Sequence, residues 1–269
     1  MARPDTLRRL LVAGVLYAAA ASCWAWGGTG HRLAAMVADQ DLSPRARAAI
    51  RSLTSSDSLA DGANWMDEIR NTAEGRRMSR WHFVNIEICQ PAPPKCKDDQ
   101  CAPAQLELAV AALQRNPRGI DAAQQIRVIT HLIADLHQPL HAADNHDFGG
   151  NDLLIANRRC KDGACSLHEY WDSQLVKMLT RGASFSEVAA RLGATVPAQA
   201  SDPLRPWDWA AEANRLAIKY AYGFQGFSCG PVRAAELTPE YDQAAVAVVA
   251  QQLARAGHRL ASVLNSVYR

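Results

Sequence analysis

Long stretches of this chain place apolar residues three to four positions apart and are rich in alanine, the spacing that lines one face of an α-helix. The pattern predicts helices over residues 30–39, 44–53, 104–114, 122–136, 166–179, 186–192, 206–222 and 239–267. Three of their starts are punctuated by proline at or near the first turn, at Ser43-Pro44, Arg205-Pro206 and Thr238-Pro239. Strand signals are sparse; residues 81–88 and 153–155 are the candidates for a small ribbon. Residues 89–103, rich in Pro, Lys, Asp and Cys, read as a stapled loop, and 143–157 as a second loop centred on Gly149-Gly150. No internal repeat, low-complexity tract or long linker divides the chain. The fold class is therefore all-α: one mostly helical domain with a minor β ribbon and disulfide-stapled loops.

The first 25 residues stand apart from this pattern. Arg3, Arg8 and Arg9 make a short basic region, followed by an apolar core over residues 10–21, too short to span a membrane stably. Cys23-Trp24-Ala25 then offers small residues where a signal peptidase reads, so cleavage after Ala25 is expected; an ordinary N-terminal helix or anchor is the other reading. No later stretch is long and apolar enough to cross a bilayer, which implies a soluble mature protein.

Removing residues 1–25 takes away three basic residues and one acid (Asp5), so the 29 basic and 27 acidic residues become 26 of each. A neutral protein cannot rely on a broad basic surface to hold a polyanion, so any positive charge that meets phosphate must be local. Bound metal is one source.

Six cysteines remain in the mature chain: Cys89, Cys96, Cys101, Cys160, Cys165 and Cys229. An even number in an exported protein argues for disulfides, with fifteen pairings open. Pairing Cys96 with Cys101 and Cys160 with Cys165 would close small loops and leave Cys89 with Cys229. A thiolate zinc site is the alternative, but the sequence holds no CxxC pair. With the leader, these cysteines imply export to a periplasm or to the outside.

Six of the eight histidines fall between His82 and His168. His131 and Asp135 are four apart, as are His168 and Asp172, so each pair projects from one face of a helix. His141 follows ten residues after His131, beyond Gln138-Pro139, where proline ends the helix; Asp67 and His82 lie upstream. Imidazole nitrogen and carboxylate oxygen are the ligands of hydrolytic zinc sites. One such pair is more often an ion pair or a satisfied core histidine; two, with further histidines nearby, point to metal.

The ordered segments Trp26-Gly27-Gly28-Thr29-Gly30-His31, Ala63 to Arg70, Trp81-His82-Phe83, His131 to His141, Gly149-Gly150-Asn151 and Leu167 to Asp172 give the chain a resemblance to the S1/P1 nuclease family, zinc-dependent single-strand nucleases. The resemblance covers most of residues 26–269 and implies a nuclease domain with three zinc ions. One would sit among Asp67, His82, His131 and Asp135. A second would take His141, His168 and Asp172. The third would use Trp26, through its α-amino nitrogen and carbonyl, with His31 and the second oxygen of Asp135. That last set needs a free amine at Trp26, which cleavage after Ala25 would create.

The resemblance further implies hydrolysis of single-stranded DNA and RNA, and of nucleotides, by zinc-activated water, with in-line attack at phosphorus and a 5′-phosphate product. 3′-Nucleotidase activity would accompany it. Asp67, Arg70 and Asp135 would carry the chemistry, Arg70 by offsetting phosphate charge; a solvated helix arginine is its other reading. Phe83 would stack on an unpaired base, rather than only pack in the core, and Asn151 would bond the base edge. The family's aspartate three residues beyond the His82 position is Asn85 here, so no acid–base role is carried to it. His137, His146 and His258 match no ligand position and read as structural or surface residues. Trp65, Trp81 and Trp171 read as walls of the metal cluster. A monomer without a stable protein partner is the default. Two rivals remain: a zinc-dependent phospholipase C, which shares fold and site, and a non-catalytic zinc-binding protein of the cell envelope.

Overall fold

The computed structural model describes residues 26–90, 92–197, 203–230 and 232–269. The expected leader lies outside the described residues. Eleven α-helical segments carry most of the rest: α1 (Gly28–Asp41), α2 (Pro44–Thr54), α3 (Trp65–Glu68), α4 (Ala73–Met78), α5 (Ala102–Arg115), α6 (Ala122–Asp135), α7 (Leu167–Glu169), α8 (Leu175–Thr180), α9 (Phe185–Gly193), α10 (Pro206–Leu216) and α11 (Pro239–Val267). A three-stranded sheet completes the frame, with β1 (Leu154–Ala156) between β2 (Ala164–Ser166) and β3 (Ala234–Ala235). The all-α expectation with a minor ribbon therefore holds.

The helix starts follow from the caps. Ser43 accepts from the amide of Ala46 and Thr238 from that of Tyr241, each just before a proline that has no amide proton to leave unpaired. Ser184 and Glu187 form a reciprocal capping box at α9. In the core, α1 lies against α11, and α6 is flanked by α5, α1, α3, α2 and α11. Being enclosed on every side, α6 is buried continuously from Val128 to Asp135, which carries the polar His131 and Asp135 into the interior.

Four sequence expectations need correction. The segment 81–88 is extended but joins no sheet; it makes only the isolated bridges Asn85–Lys95 and Glu87–Asp144, because its neighbours are loops rather than strands. The helix expected over 166–179 is not uniform: α7 runs into a π turn at Tyr170–Gln174 and then into α8. A second π turn, Ala217–Ala221, ends the helix expected over 206–222. The other expected strand appears as β1, displaced by one residue to Leu154–Ala156. The short α3 and α4 carry too few residues for a periodicity to register.

The three expected disulfides are present: Cys89–Cys229, Cys96–Cys101 and Cys160–Cys165. The first joins positions 140 residues apart; the other two each close a loop five residues apart. No helix among the described residues is long and apolar enough to cross a membrane.

Candidate metal centre

Residues from α1, α3, the 81–88 segment, α6, the turn at Pro139–Ala142 and the π-interrupted helix converge on one buried point. Three donor groups form there: His31, Asp67 and His131; His82, His131 and Asp135; and His141, His168 and Asp172. Asp135 is the hub. Its Oδ1 lies 3.3 Å from His31 Nε2 and 3.7 Å from His141 Nδ1, while Oδ2 lies 3.1 Å from His82 Nδ1 and 3.4 Å from His131 Nε2. His31 stacks face to face on His131, with ring centroids 3.9 Å apart.

Hydrogen bonds to carbonyls fix how the imidazoles point. His131 Nδ1 donates to Ala63 O, His141 Nδ1 to His82 O and His168 Nδ1 to Gly149 O, each at 2.8 Å. A carbonyl oxygen only accepts, so each Nδ1 holds the proton and each Nε2 turns a lone pair inward. As a result, Nε2 of His141 and Nε2 of His168 confront each other at 3.2 Å. Two lone pairs at that distance repel unless a cation lies between them. A proton is disfavoured, because burial pushes His141 down to about 3.

The remaining donors fit the same conclusion. Both ring nitrogens of His31, Oδ2 of Asp67 and Oδ1 of Asp135 are buried without a hydrogen bond. Burying such atoms unsatisfied costs about 1–3 kcal/mol each, so a partner is needed. A tetrahedral ion with ligands at about 2.0–2.2 Å spaces its ligand atoms roughly 3.3–3.6 Å apart. His168 Nε2 to Asp172 Oδ2 is 3.3 Å, and His131 Nε2 to Asp135 Oδ2 is 3.4 Å. The donor set therefore fits cations of the zinc type.

Charge agrees with this. Burial alone would raise the carboxyl of Asp135, but His131 and His141 beside it hold it well below the usual range, so it enters the centre ionised. Burial raises Asp67, against the pull of His31, His82 and Arg70. His131 is driven well down by burial and by neighbouring His31, which keeps it a neutral ligand.

Trp26 is wholly buried, and its indole Nε1 donates to Ala134 O at 2.8 Å. The ring is thus bound to the frame beside Asp135, and its main chain alone is left to meet a metal. Gly27 N donates to Asp172 O, tying the same segment to the third donor group.

Several supporting residues were not visible in the sequence. Gln138 Nε2 donates to Asp172 Oδ1 at 2.7 Å while its Oε1 accepts from Leu140 N, so it aims the second oxygen of Asp172 at His168. In sequence it showed only as the residue before a helix-ending proline. Asp147, buried, accepts from Tyr222 Oη and from Gly150 N and so anchors the loop. Gly149 has φ +64°, and a Cβ there would lie 2.6 Å from Leu140 O. The paired glycines, read as part of a substrate loop, also hold His168: Gly149 O takes its Nδ1 proton and Gly150 O its backbone amide proton.

Above the third donor group opens a cleft of about 770 Å³, lined by Phe83, Phe148, Asn151 and His168, with Arg80, Lys95 and Lys97 also on its walls. Phe83 and Asn151 thus line the same cleft. Phe148 was missed; it is 70% exposed with φ +54°, a conformation rarely adopted by a bulky residue. A phenylalanine directly before Gly149-Gly150 is its only sequence signal. Arg70 lies in the turn after α3, near enough to act on Asp67. Asn85 also lines the cleft.

The other histidines are spent on the frame. His137 donates from Nδ1 to Ile133 O and meets Arg259 through Nε2; His258 faces Asp41, and the exposed His146 lies near Glu87. Trp171 bonds Tyr241, Trp81 bonds Gln100, and Trp65 lies under Arg127.

Fold and site together define a helical frame with three groups of candidate metal ligands beside an aromatic-lined cleft. Residues 26–269 match the S1/P1 Nuclease family, and the chain belongs to that family. Its activity is accordingly that of a nuclease, a hydrolase of phosphoric ester bonds. It is 26% identical to Nuclease P1 of Penicillium citrinum, over 90% of this chain and 98% of that protein. It is 25% identical to Nuclease S1 of Aspergillus oryzae, over 97% and 98%, and 25% identical to Endonuclease 4 of Arabidopsis thaliana, over 90% and 89%.

Proposed function

We propose that this protein is an exported endonuclease that hydrolyses single-stranded DNA and RNA to 5′-phosphorylated products, with 3′-nucleotidase activity, at a three-zinc centre. The observation that carries the reading is the convergence of eight candidate ligands, His31, Asp67, His82, His131, Asp135, His141, His168 and Asp172, beside a cleft lined by two phenylalanines, with Trp26 bonded next to them at Ala134 O. Asp67, His82, His131 and Asp135 would hold one ion, and His141, His168 and Asp172 another. Trp26, His31 and the shared Asp135 would hold the third.

Zinc bound there supplies a water acidified towards neutrality as nucleophile and a Lewis acid for the departing 3′-oxygen. The chain's own groups do the rest. Asp135, with Oδ1 near His31 and Oδ2 near His82 and His131, would serve two donor groups at once, which an imidazole cannot do. The carbonyls of Ala63, His82 and Gly149 keep three imidazoles in the ligating tautomer. Arg70 offsets charge on the phosphate as it reorganises. Phe83 and Phe148 offer faces on which a base can stack, and stacking needs a base outside a duplex, which favours single strands. Such aromatic walls with Asn151 suit a base better than a lipid chain.

Export follows from the leader and the three disulfides, and processing after Ala25 accords with a family match that starts at residue 26. The test is digestion of single- and double-stranded oligonucleotides with wild type and Asp135→Asn. The expected result is EDTA-sensitive cutting of the single strand, 5′-phosphate ends and loss in the variant. Cutting that survives chelation, or ends that carry 3′-phosphate, would refute the mechanism.

A further inference from the structure

A base held at Phe83 leaves the phosphodiesters on either side of it to be placed. We propose that Arg80 and Lys97 form a phosphate-binding rim that takes the phosphodiesters adjoining the scissile one, so that strands are favoured over small diesters. This rests on the nuclease reading above.

Both cations line the same cleft as Phe83, Phe148 and the candidate ligand His168. Both are exposed, and among the described residues neither pairs with a carboxylate, although Asp98 and Asp99 follow Lys97 in sequence. Lys95, the third cation of the cleft, differs: its Nζ donates to Glu87 Oε1 at 2.6 Å, so its charge is already met. Two positive charges without a carboxylate partner therefore line a cleft that the candidate ligand His168 also lines.

Their positions are held by the backbone. Arg80 directly precedes Trp81-His82-Phe83, so the segment that delivers a ligand and a stacking face also delivers the cation. Lys97 sits in the loop closed by Cys96–Cys101. That loop is fastened to the same segment by Lys95 N to Asn85 O at 2.9 Å, Ala102 N to Phe83 O at 3.0 Å and Trp81 Nε1 to Gln100 Oε1 at 2.9 Å. Lysine and arginine on a fixed scaffold lose little backbone freedom when a phosphate arrives.

The test compares the processed, zinc-loaded wild type with Arg80→Ala/Lys97→Ala and with Arg80→Glu/Lys97→Glu. Two probes are used: a thymidine dodecanucleotide and bis(p-nitrophenyl) phosphate. For the alanine variant, KM on the oligonucleotide should rise on the order of tenfold at low salt, and the slope of log KM against log salt should flatten by about 1.4, or about 0.7 per lost contact. The glutamate variant should raise KM further. Turnover of the small diester and zinc content should stay at the wild-type level in both. Unchanged oligonucleotide KM and slope would overturn the proposal while leaving the nuclease reading intact. Parallel loss on both probes would also overturn it, because the residues would then act on the centre rather than on the strand. A wild type that cuts neither probe would sink the nuclease reading and the rim with it.

Discussion

Replacing Gly149 with alanine should destabilise the protein through a contact that can be worked out in advance. Its φ of +64° lies in the left-handed region, which costs an L-residue about 1–2 kcal/mol. The added Cβ would also lie 2.6 Å from Leu140 O and 3.2 Å from Ala143 O, both backbone atoms that cannot swing aside. Overpacking of this kind adds about 1–3 kcal/mol, for a total of roughly 2–5 kcal/mol. Gly163 is the control: its φ is +83°, yet a Cβ there meets nothing within 4 Å, so the cost is about 1–2 kcal/mol from conformation alone. Urea unfolding of the metal-free proteins separates the two. Gly149→Ala should also weaken metal retention at His141, His168 and Asp172, because Gly149 O positions His168. If the two variants lose equal stability, the steric reasoning is wrong.

Further outcomes follow from the same structure. Loss of the Cys89–Cys229 bond, which spans 140 residues, should cost about 5 kcal/mol by chain entropy, and loss of Cys160–Cys165 about 2, read as thermal unfolding of the Cys→Ala pairs. In the metal-free protein His131, His137 and His141 are held below the ordinary 6.5 by burial. The unfolded chain protonates them near 6.5 while the folded one resists, so stability is full above that pH and falls as pH drops towards 4; a flat urea midpoint over that range would contradict it. Phe148→Ala should raise KM for a single-stranded oligonucleotide about tenfold, for a stack worth roughly 1–3 kcal/mol, with little change on a small diester.

The helical frame was legible because α1, α5, α6 and α11 are long enough for a 3.6-residue period to repeat. Where the period breaks, only the helix type departs from expectation: the i, i+4 spacing of His168 and Asp172 implies one uniform helix, whereas a π turn begins between them. They still meet, since Gln138 and Gly149, each donating to or accepting from one of the pair, orient both side chains. The candidate His and Asp ligands stood out as residue types at helical spacing and through family resemblance. Their support did not, because Ala63, His82 and Gly149 act through carbonyls, which every residue has. Phe148 escaped for a related reason: nothing in its identity foretells a positive φ that turns it to the cleft mouth.

The central claim is a three-zinc nuclease whose third ion depends on a processed N-terminus. Zinc analysis of one exported preparation, with intact mass and a single-strand cleavage assay on the same sample, tests it most directly. The account predicts a chain starting at Trp26, about three zinc ions per molecule, and cutting that EDTA abolishes and zinc restores. A chain that cuts with no zinc bound would contradict it.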